Sequence, residues 1–285
     1  MENKHKAVLL MLVSSLAFAG SAAAVKLSGD LPVFEKVFFR NILAVLIAYV
    51  TILRKGDRLW GEKKNRAVLF FRSLLGVMGM ALYFYAIRHL YLADSAILHK
   101  LFPFFVTIFA AVFLKEKLTK IQVPGMIIAF LASMLIIKPQ FDYRILPALA
   151  GFGTALLSGA TYTMVRYLRN KESPATIVFF FSFTSLILLT PFLLLDFAMP
   201  NREQWIYLLM IGVFAAAGQF SLTYAYRYGK ASEIAVYNYV NILFAALLGF
   251  LIWQEIPDIL SIIGGIIIIG ISIIIFYYNS KHKTD

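Results

Sequence analysis

The sequence predicts an all-α integral membrane protein with ten transmembrane helices in two inverted five-helix repeats. Three observations carry this prediction: an apolar composition, ten apolar segments of membrane-spanning length, and a similarity between the two halves of the chain. Of the 285 residues, 61% are hydrophobic and 15% are charged, and the mean hydropathy is +0.79. Soluble domains average about 45–50% apolar and about 25% charged residues. The composition therefore excludes a soluble globular domain.

The apolar segments have the length that a bilayer requires. About 20 apolar residues, rising 1.5 Å each, cross about 30 Å of hydrocarbon. The joints between the segments are short and polar, as at 28–32 and 199–201, whereas a β-barrel would show alternating strands of about ten residues. The run 262–276 is apolar on every helical face. In chain order, the predicted segments 1 to 10 are 7–25, 33–53, 67–87, 95–114, 121–137, 146–165, 175–195, 205–225, 234–253 and 258–278.

The charged residues predict the orientation of the segments. The chain has 27 Lys and Arg against 15 Asp and Glu, a net charge of +12. With loops alternating between sides, eighteen basic residues share the side of both termini and six lie on the other. Cytoplasmic loops are enriched in Lys and Arg, so both termini of this multi-pass protein of the cell membrane are expected in the cytoplasm. The positive charge then sets topology, and no nucleic acid partner is predicted. The weaker alternative is that the basic loop 54–66 forms a surface that contacts nucleic acid or peripheral lipid.

The chain lacks the residues that metal and thiol chemistry require. It contains no cysteine, so disulfides, thiolate catalysis and Cys-ligated metals are excluded. Its four His residues form neither an HExxH motif nor a close pair. The sequence therefore predicts no metal site and no cofactor.

A shift of 139 positions aligns the second half of the chain with the first. It divides the chain into an N-terminal repeat, 1–140, and a C-terminal repeat, 141–285. Each half holds five segments, an odd number, so the second half enters the membrane in the opposite sense. Inverted repeats are typical of secondary transporters, because two similar halves can expose one central site alternately to each side. The polar and Gly matches are Gly79 with Gly218, 85–88 with 224–227, Glu116 with Glu255, and Gly125 with Gly264.

The stretch 98–139, LHKLFPFFVTIFAAVFLKEKLTKIQVPGMIIAFLASMLIIKP, resembles the fourth-to-fifth-helix signature of the EamA-type drug/metabolite transporter superfamily. The matching features are Pro103 in the apolar helix, Glu116 in a Leu-x-Glu-x-Leu-Thr joint, and Gly125 opening the next helix. The stretch 238–264 repeats this pattern, with Ile in place of the Pro. The resemblance covers essentially the whole chain. It implies a ten-helix exporter or importer of amino acids or other small metabolites, with a cavity formed mainly by helices 1, 3, 4, 6, 8 and 9.

Ionisable side chains inside a span cost several kcal/mol unless they face protein or water, so each is a functional candidate. Lys100 lies about two turns inside segment 4, beside His99, and is the foremost candidate for substrate binding. The alternative interpretation is that Lys100 extends its ammonium to the membrane interface, or pairs with a backbone carbonyl at a helix break near Pro103. The related positions of segment 9 are also polar, Asn238 and nearby Asn241. His99 could shuttle a proton, although an isolated His between helices is more often hydrogen-bonded.

Further candidates fall into two groups. Arg40 lies about two turns into segment 2, at a position where the resemblance also places Arg, and an ion pair or gate is expected there. Arg72 is expected to snorkel to the cytoplasmic interface. Additional cavity-lining residues, for which ordinary packing is the alternative, are Tyr83, Tyr162, Gln219 and Tyr237. Structural or gating roles are predicted for Arg40, Pro103, Glu116 and Glu255, the two acids acting as loop brackets or helix-end partners.

The embedded charges favour an anionic or zwitterionic substrate. A cation importer or proton-coupled multidrug pump would place a carboxylate deep in the membrane, and the predicted cavity helices have none there. The predicted function is a secondary transporter of an amino acid, carboxylate or similar small metabolite, working by alternating access in the lipid bilayer. The alternatives are a flippase of lipids or lipid-linked sugars with the same fold and, less favoured, an integral-membrane enzyme. Coupling of transport to a proton or another ion and assembly into a homodimer are both compatible with the sequence.

Overall fold

The structure, a computed structural model, describes residues 2–115, 118–138, 145–168, 171–228 and 235–281. Short 3-10 turns occupy Lys63–Asn65 and Ala235–Tyr239. In chain order, the helices α1 to α11 are Glu2–Leu27, Val33–Lys55, Arg66–His89, Leu92–His99, Phe102–Leu114, Gln122–Ile137, Leu146–Leu168, Pro174–Leu195, Arg202–Tyr228, Val240–Trp253 and Ile259–Lys281.

The predicted all-α membrane class with ten spans is confirmed. Eight helical segments are long and apolar enough to cross a membrane, and Gln122–Ile137 and Tyr237–Trp253 are two shorter apolar helices. Together they correspond to the ten predicted segments, with α4 and α5 both belonging to segment 4. The helices end where the sequence supplies breaking residues. For example, α2 begins after Pro32 and ends at Gly56, which adopts a left-handed φ of 70°.

The predicted segment 95–114 lies within one span, Leu92–Leu114, which contains a helix break. Helix α4 ends at His99, and α5 begins at Phe102 with Pro103 in its first turn. Proline has no N–H to donate to the preceding turn, so it is accommodated at the start of a new helix better than inside an old one. Segment 9 begins at the related place with a 3-10 turn, Ala235–Tyr239, that leads directly into α10. The break at Lys100 and this 3-10 turn are called the two helix interruptions below.

The two halves share a backbone feature at the ends of these interrupted helices. Lys115 caps α5 with φ 56°, and Gln254 caps α10 with φ 57°. These residues are 139 positions apart, and both are left-handed, a conformation that residues other than glycine seldom adopt. The helix-end geometry therefore follows the same repeat as the sequence.

Helices of the first half pack mainly on helices of the second half. Five of the helix pairs in contact between the halves are α1 with α9, α2 with α8, α3 with α7, α4 with α10, and α6 with α11. When each helix is replaced by the related helix of the other half, the α1–α9 pair becomes the α7–α3 pair. The other three pairs are unchanged. This arrangement is that of two related halves around a two-fold axis, and it brings the interrupted segments 4 and 9 together at the centre.

Candidate substrate-binding site

The two helix interruptions meet at Lys100 and Asn238. Lys100 follows the last residue of α4, and its side chain is only 7% exposed. Its Nζ donates a hydrogen bond to Oδ1 of Asn238, 3.1 Å away, in the 3-10 turn before α10. The structure thus joins a cationic side chain of the first half to an amide of the second half at the place where both helices are interrupted.

Helix α1 holds the start of α10 in position. Asn241 Nδ2 donates to the Ser15 carbonyl oxygen at 2.9 Å, and Ser15 Oγ donates to the Tyr237 carbonyl oxygen at 3.4 Å. Ser14 Oγ donates to the carbonyl oxygen of Gly218 in α9 at 2.7 Å. Backbone groups freed by an interrupted helix must find partners within the protein when no water is present. Ser15 meets this need for the Tyr237 carbonyl oxygen, and Asn241 ties the start of α10 to α1.

An aromatic row runs from α3 to α7 beside the interruption. The ring centroids are 4.7 Å apart for Tyr83 and His99, 5.5 Å for His99 and Phe102, and 5.0 Å for Phe102 and Tyr162. These distances allow direct ring–ring contact. The row gathers three residues that were predicted from the sequence and adds Phe102, which was not.

Gly159 fixes the approach of α5 to α7. A Cβ atom at this position would lie 2.3 Å from the Cβ of Phe105 and 3.1 Å from its carbonyl carbon. Only glycine permits so close a contact between these helices. One turn towards the start of α5 and one turn towards the end of α7, the same approach brings Phe102 onto Tyr162.

Two arginines lie within membrane-spanning helices, Arg40 in α2 and Arg72 in α3. Arg40 Nη1 donates to Asn41 Oδ1 at 3.3 Å, and the Arg72 guanidinium lies 4.1 Å from the Phe181 ring centroid. Within the described ranges, Nε and Nη1 of Arg72 are buried without a hydrogen-bond partner. The expectation that Arg72 snorkels to the interface is wrong, because its guanidinium instead lies over the Phe181 ring.

A polar cluster closes one end of the helix bundle, here called the Lys26 end. Lys26 forms an ion pair with Glu255, whose other oxygen accepts the N–H of Leu92 at 2.9 Å. Lys26 also donates to the Leu90 carbonyl oxygen at 2.7 Å and lies 5.3 Å from the Trp253 ring centroid. This cluster ties α1, the start of α4 and the end of α10 together. Two further ion pairs at the same end join Arg88 to Asp30 and Lys138 to Asp258.

Comparisons with known proteins agree with this architecture. The EamA-like transporter family matches residues 5–138 and again residues 145–277. The chain belongs to the EamA-like transporter family. It is therefore a multi-pass membrane transporter and not an enzyme, and it works with a small-molecule substrate within membrane lipid.

Individual relatives of this EamA-like transporter are also transporters. The pseudopaline exporter CntI of Pseudomonas aeruginosa is 34% identical over 265 residues, which cover 92% of this chain and 93% of the relative. A riboflavin transporter of Brucella anthropi is 27% identical, over 95% of this chain and 98% of the relative. A solved structure with 16% identity and a TM-score of 0.68 covers 99% of this chain and 100% of its own, and it shows the fold alone.

The structure gives other positions or contacts for the remaining predicted residues of this EamA-like transporter. The Tyr237 side chain packs against the cluster of Ala7, Met11 and Ala225. Gln219 lies on α9 with an exposed side chain. Pro103 stands in the first turn of α5. Glu255 lies at the Lys26 end, and Glu116 falls outside the described residues.

The sequence reasoning missed two buried carboxylates of this EamA-like transporter. Glu35 and Asp94 are each the third residue of a helix, in α2 and α4. Glu35 Oε2 accepts the N–H of Ala198 at 3.2 Å. In the part of the chain that the structure describes, Glu35 Oε1 and Asp94 Oδ1 are buried without partners. Acids are favoured in the first helical turn by the helix dipole, and neither residue lies as far along its span as Lys100.

Proposed function

We propose that this transporter moves a small metabolite that carries a carboxylate or another anionic group, and that Lys100 binds that group. The observation that carries the proposal is the contact between Lys100 Nζ and Asn238 Oδ1, 3.1 Å long, at the two related helix interruptions. A buried ammonium with one neutral partner has donor capacity left, because Lys carries three N–H donors. An anionic ligand can accept hydrogen bonds from the remaining N–H donors and can pair with the positive charge, which lipid hydrocarbon cannot do.

The helix ends near Lys100 support the same ligand charge. Helix α5 begins at Phe102, two residues after Lys100, whereas α10 continues the 3-10 turn that holds Asn238. The first N–H groups of a helix lack partners in the helix and carry partial positive charge. Discontinuous helices of transporters direct such ends towards anionic substrate groups. Lys100, Asn238 and the start of α5 together favour an anion or the carboxylate of a zwitterion.

Alternating access is proposed from the pairing of the two halves and from the Lys26 end. We assign the Lys26 end to the outer side, because the basic loops of the opposite side predict cytoplasmic termini. The ion pairs of Lys26, Arg88 and Lys138 hold that end closed in this conformation. Opening it requires the contacts between Glu255, Lys26 and Leu92 to separate. Since a 34% identical relative is an exporter, export is the direction to test first.

The test begins with a ligand screen. Purified protein is heated with amino acids, carboxylates, nucleosides or amines, because a ligand that binds the folded state raises the apparent melting temperature. The selected ligand is then used for uptake into proteoliposomes. Lys100→Met should remove most of the ligand response, and Lys100→Arg should retain part of it because the charge remains but its geometry changes. Lys120→Met, at an exposed position, is the matched control and should behave as wild type.

Asn238→Ala provides an independent test of the pair. It removes one neutral hydrogen-bonding group, so the substrate affinity should fall about fivefold to a hundredfold, less than for Lys100→Met. Wild-type uptake and affinity in Lys100→Met would refute the role of Lys100 and the anionic substrate. Scrambling of labelled lipid without uptake of a soluble solute would instead support a flippase.

A further inference from the structure

We propose that helices α2 and α8 stay together at both ends of the bundle while the Lys26 end opens, so that this pair is the axis of alternating access. The proposal rests on the proposed function, because it assumes that the Lys26 end opens during transport. Two contacts between loops carry it. They lie at the two ends of the α2–α8 pair, and they are called the two loop contacts below.

The first loop contact lies at the end opposite to the Lys26 end. There the loop between α2 and α3 meets the chain at the start of α8. Glu172 Oε1 accepts the N–H of Glu62 at 2.8 Å and a hydrogen bond from Asn65 Nδ2 at 2.7 Å. Thr176 Oγ1 donates to the Arg58 carbonyl oxygen at 2.6 Å. These three hydrogen bonds join the first half of the chain to the second half.

The second loop contact lies at the Lys26 end, where the chain around the start of α2 meets the loop between α8 and α9. Glu35 Oε2 accepts the N–H of Ala198 at 3.2 Å. Gln204 Nε2 donates to the Ser28 carbonyl oxygen at 3.3 Å. In both loop contacts, a glutamate of one half therefore accepts a backbone N–H of the other half.

The internal repeat relates the two loop contacts to each other. The shift of 139 positions moves 56–65 onto 195–204 and 32–37 onto 171–176. In an inverted repeat, the halves exchange conformations during alternating access, so a contact that breaks at one end is replaced by its counterpart at the other. The two loop contacts are counterparts, and both are formed in the same conformation. Neither one needs to break when the ends exchange roles.

Helices α2 and α8 also pack on each other between the two loop contacts. The rings of Phe34 and Phe192 stack with centroids 4.7 Å apart near the Lys26 end, and Tyr49 lies 6.2 Å from Phe179 near the opposite end. Trp60, in the loop after α2, meets Phe179 edge-on at 5.9 Å. Van der Waals packing of this kind holds helices together in lipid. Separating the pair at either end would lose these contacts.

The ion pair of Lys26 and Glu255 differs from the loop contacts. The repeat relates Lys26 to Val165, which cannot form an ion pair, so this closure has no counterpart of the same chemistry at the opposite end. Glu255 binds the start of α4, and α4 packs on α10, α7 and α3, whereas α2 packs on α8, α9 and α3. The α4 side of the Lys26 end can therefore open while α2 and α8 stay together.

The test compares two serines of the Lys26 end, each replaced by cysteine in a chain that has no other cysteine. Both are 0% exposed. Ser28→Cys reports on the second loop contact, because Gln204 binds the Ser28 carbonyl oxygen. Ser95→Cys reports on the α4 side. It lies on the same face of α4 as Leu92, whose Cβ would be 3.5 Å from a Cβ placed on Gly249 of α10.

The rate at which each thiol reacts with a water-soluble maleimide is measured in the full-length protein in detergent, with and without Glu255→Gln. A buried thiol reacts only when its surroundings open, so the rate follows the population of the open state. Loss of the counter-charge of Lys26 should speed the labelling of Ser95→Cys about tenfold or more. The labelling of Ser28→Cys should stay within about twofold of its original rate, because the loop contact is independent of the ion pair.

Two controls isolate local opening from other effects. Glu203→Gln removes a negative charge from an exposed position of the Lys26 end and should change neither rate. Ser133→Cys, buried in α6, gives the rate of labelling through unfolding of the whole protein, which is subtracted from the other two rates. Lys26→Gln breaks the same ion pair from its other side and should act in the same direction, so it replaces Glu255→Gln if that variant does not fold.

The outcomes separate this inference from the proposed function. Equal acceleration of Ser28→Cys and Ser95→Cys, or a larger one of Ser28→Cys, overturns the α2–α8 axis and leaves alternating access unaffected. Acceleration of neither thiol overturns the opening of the Lys26 end itself, and with it the proposed mechanism of alternating access at this end.

Discussion

The contact between Gly159 and Phe105 allows a quantitative test of how the site is built. We consider Gly159→Ala, which adds one methyl group where α7 meets α5. The added Cβ would lie 2.3 Å from Phe105 Cβ, and backbone atoms of Phe105 stand at 3.1 and 3.2 Å. Because two of these three atoms belong to the backbone, a side-chain rotation cannot relieve the overlap. The two helices must move apart.

The expected loss of stability follows from this geometry. Carbon atoms in contact normally stand about 3.5–4.0 Å apart, so the helices must separate locally by roughly 1 Å or more. Overpacking of this kind typically destabilises by about 1–3 kcal/mol. Gly270→Ala is the matched control, because nothing lies within 4 Å of the position of its Cβ. Both variants gain about 1 kcal/mol from replacing glycine inside a helix, so the difference between them isolates the contact, at about 1–3 kcal/mol.

The assay is thermal unfolding of both variants in the same detergent at one scan rate, together with substrate affinity. Gly270→Ala should be as stable as wild type or more stable, and Gly159→Ala should be less stable than Gly270→Ala. Separation of the helices should also displace Phe102 from Tyr162, so substrate affinity should fall only in Gly159→Ala. Equal stability of the two variants would refute the close approach of α5 and α7 described here.

Three other predictions concern the ends of the bundle. Glu255→Gln leaves the Lys26 ammonium without its counter-charge, so the free energy of unfolding in denaturant should fall by about 2 kcal/mol; unchanged stability would contradict the ion pair. Because the chain has no cysteine, Met199→Cys and Asp285→Cys can each be labelled alone, and an impermeant maleimide applied to intact cells should label only the first. Labelling of both would contradict the ten-span topology. Gln254→Gly should raise thermal stability, by about 1 kcal/mol, since its φ of 57° suits glycine.

The positions of the helices could be predicted because lipid imposes a simple requirement. A span needs about 20 apolar residues whose backbone bonds are satisfied internally. Segment 2 was thus predicted at 33–53 and observed at Val33–Lys55. Segment 4 was predicted at 95–114, and the structure divides this span into α4 and α5 at Lys100 and Leu101. Pro103 signalled a possible end, but the interruption also depends on partners such as Asn238, 138 positions away in the chain.

The arrangement of the side chains inside the bundle was less accessible to sequence reasoning. Lys100 and Asn238 were paired by the repeat, because the same shift relates their segments. No such relation identified Phe102, one of 26 phenylalanines. Arg72 was misjudged because distance along a helix says how far a side chain is from the interface and not what lies beside it. Its direction is decided by Phe181, which comes from another helix.

Substitution of a residue that builds the site should lower the stability of the empty protein, whereas substitution of a residue that binds the ligand should not. Gly159 permits close packing, so replacing it lowers both stability and affinity. Lys100 holds charge in a region that favours apolar groups, and its replacement by Met should weaken ligand binding without lowering the stability of the empty protein. An interior cation destabilises the empty transporter because it lacks a counter-charge. The substrate supplies this counter-charge when it binds, so the cation favours the bound state.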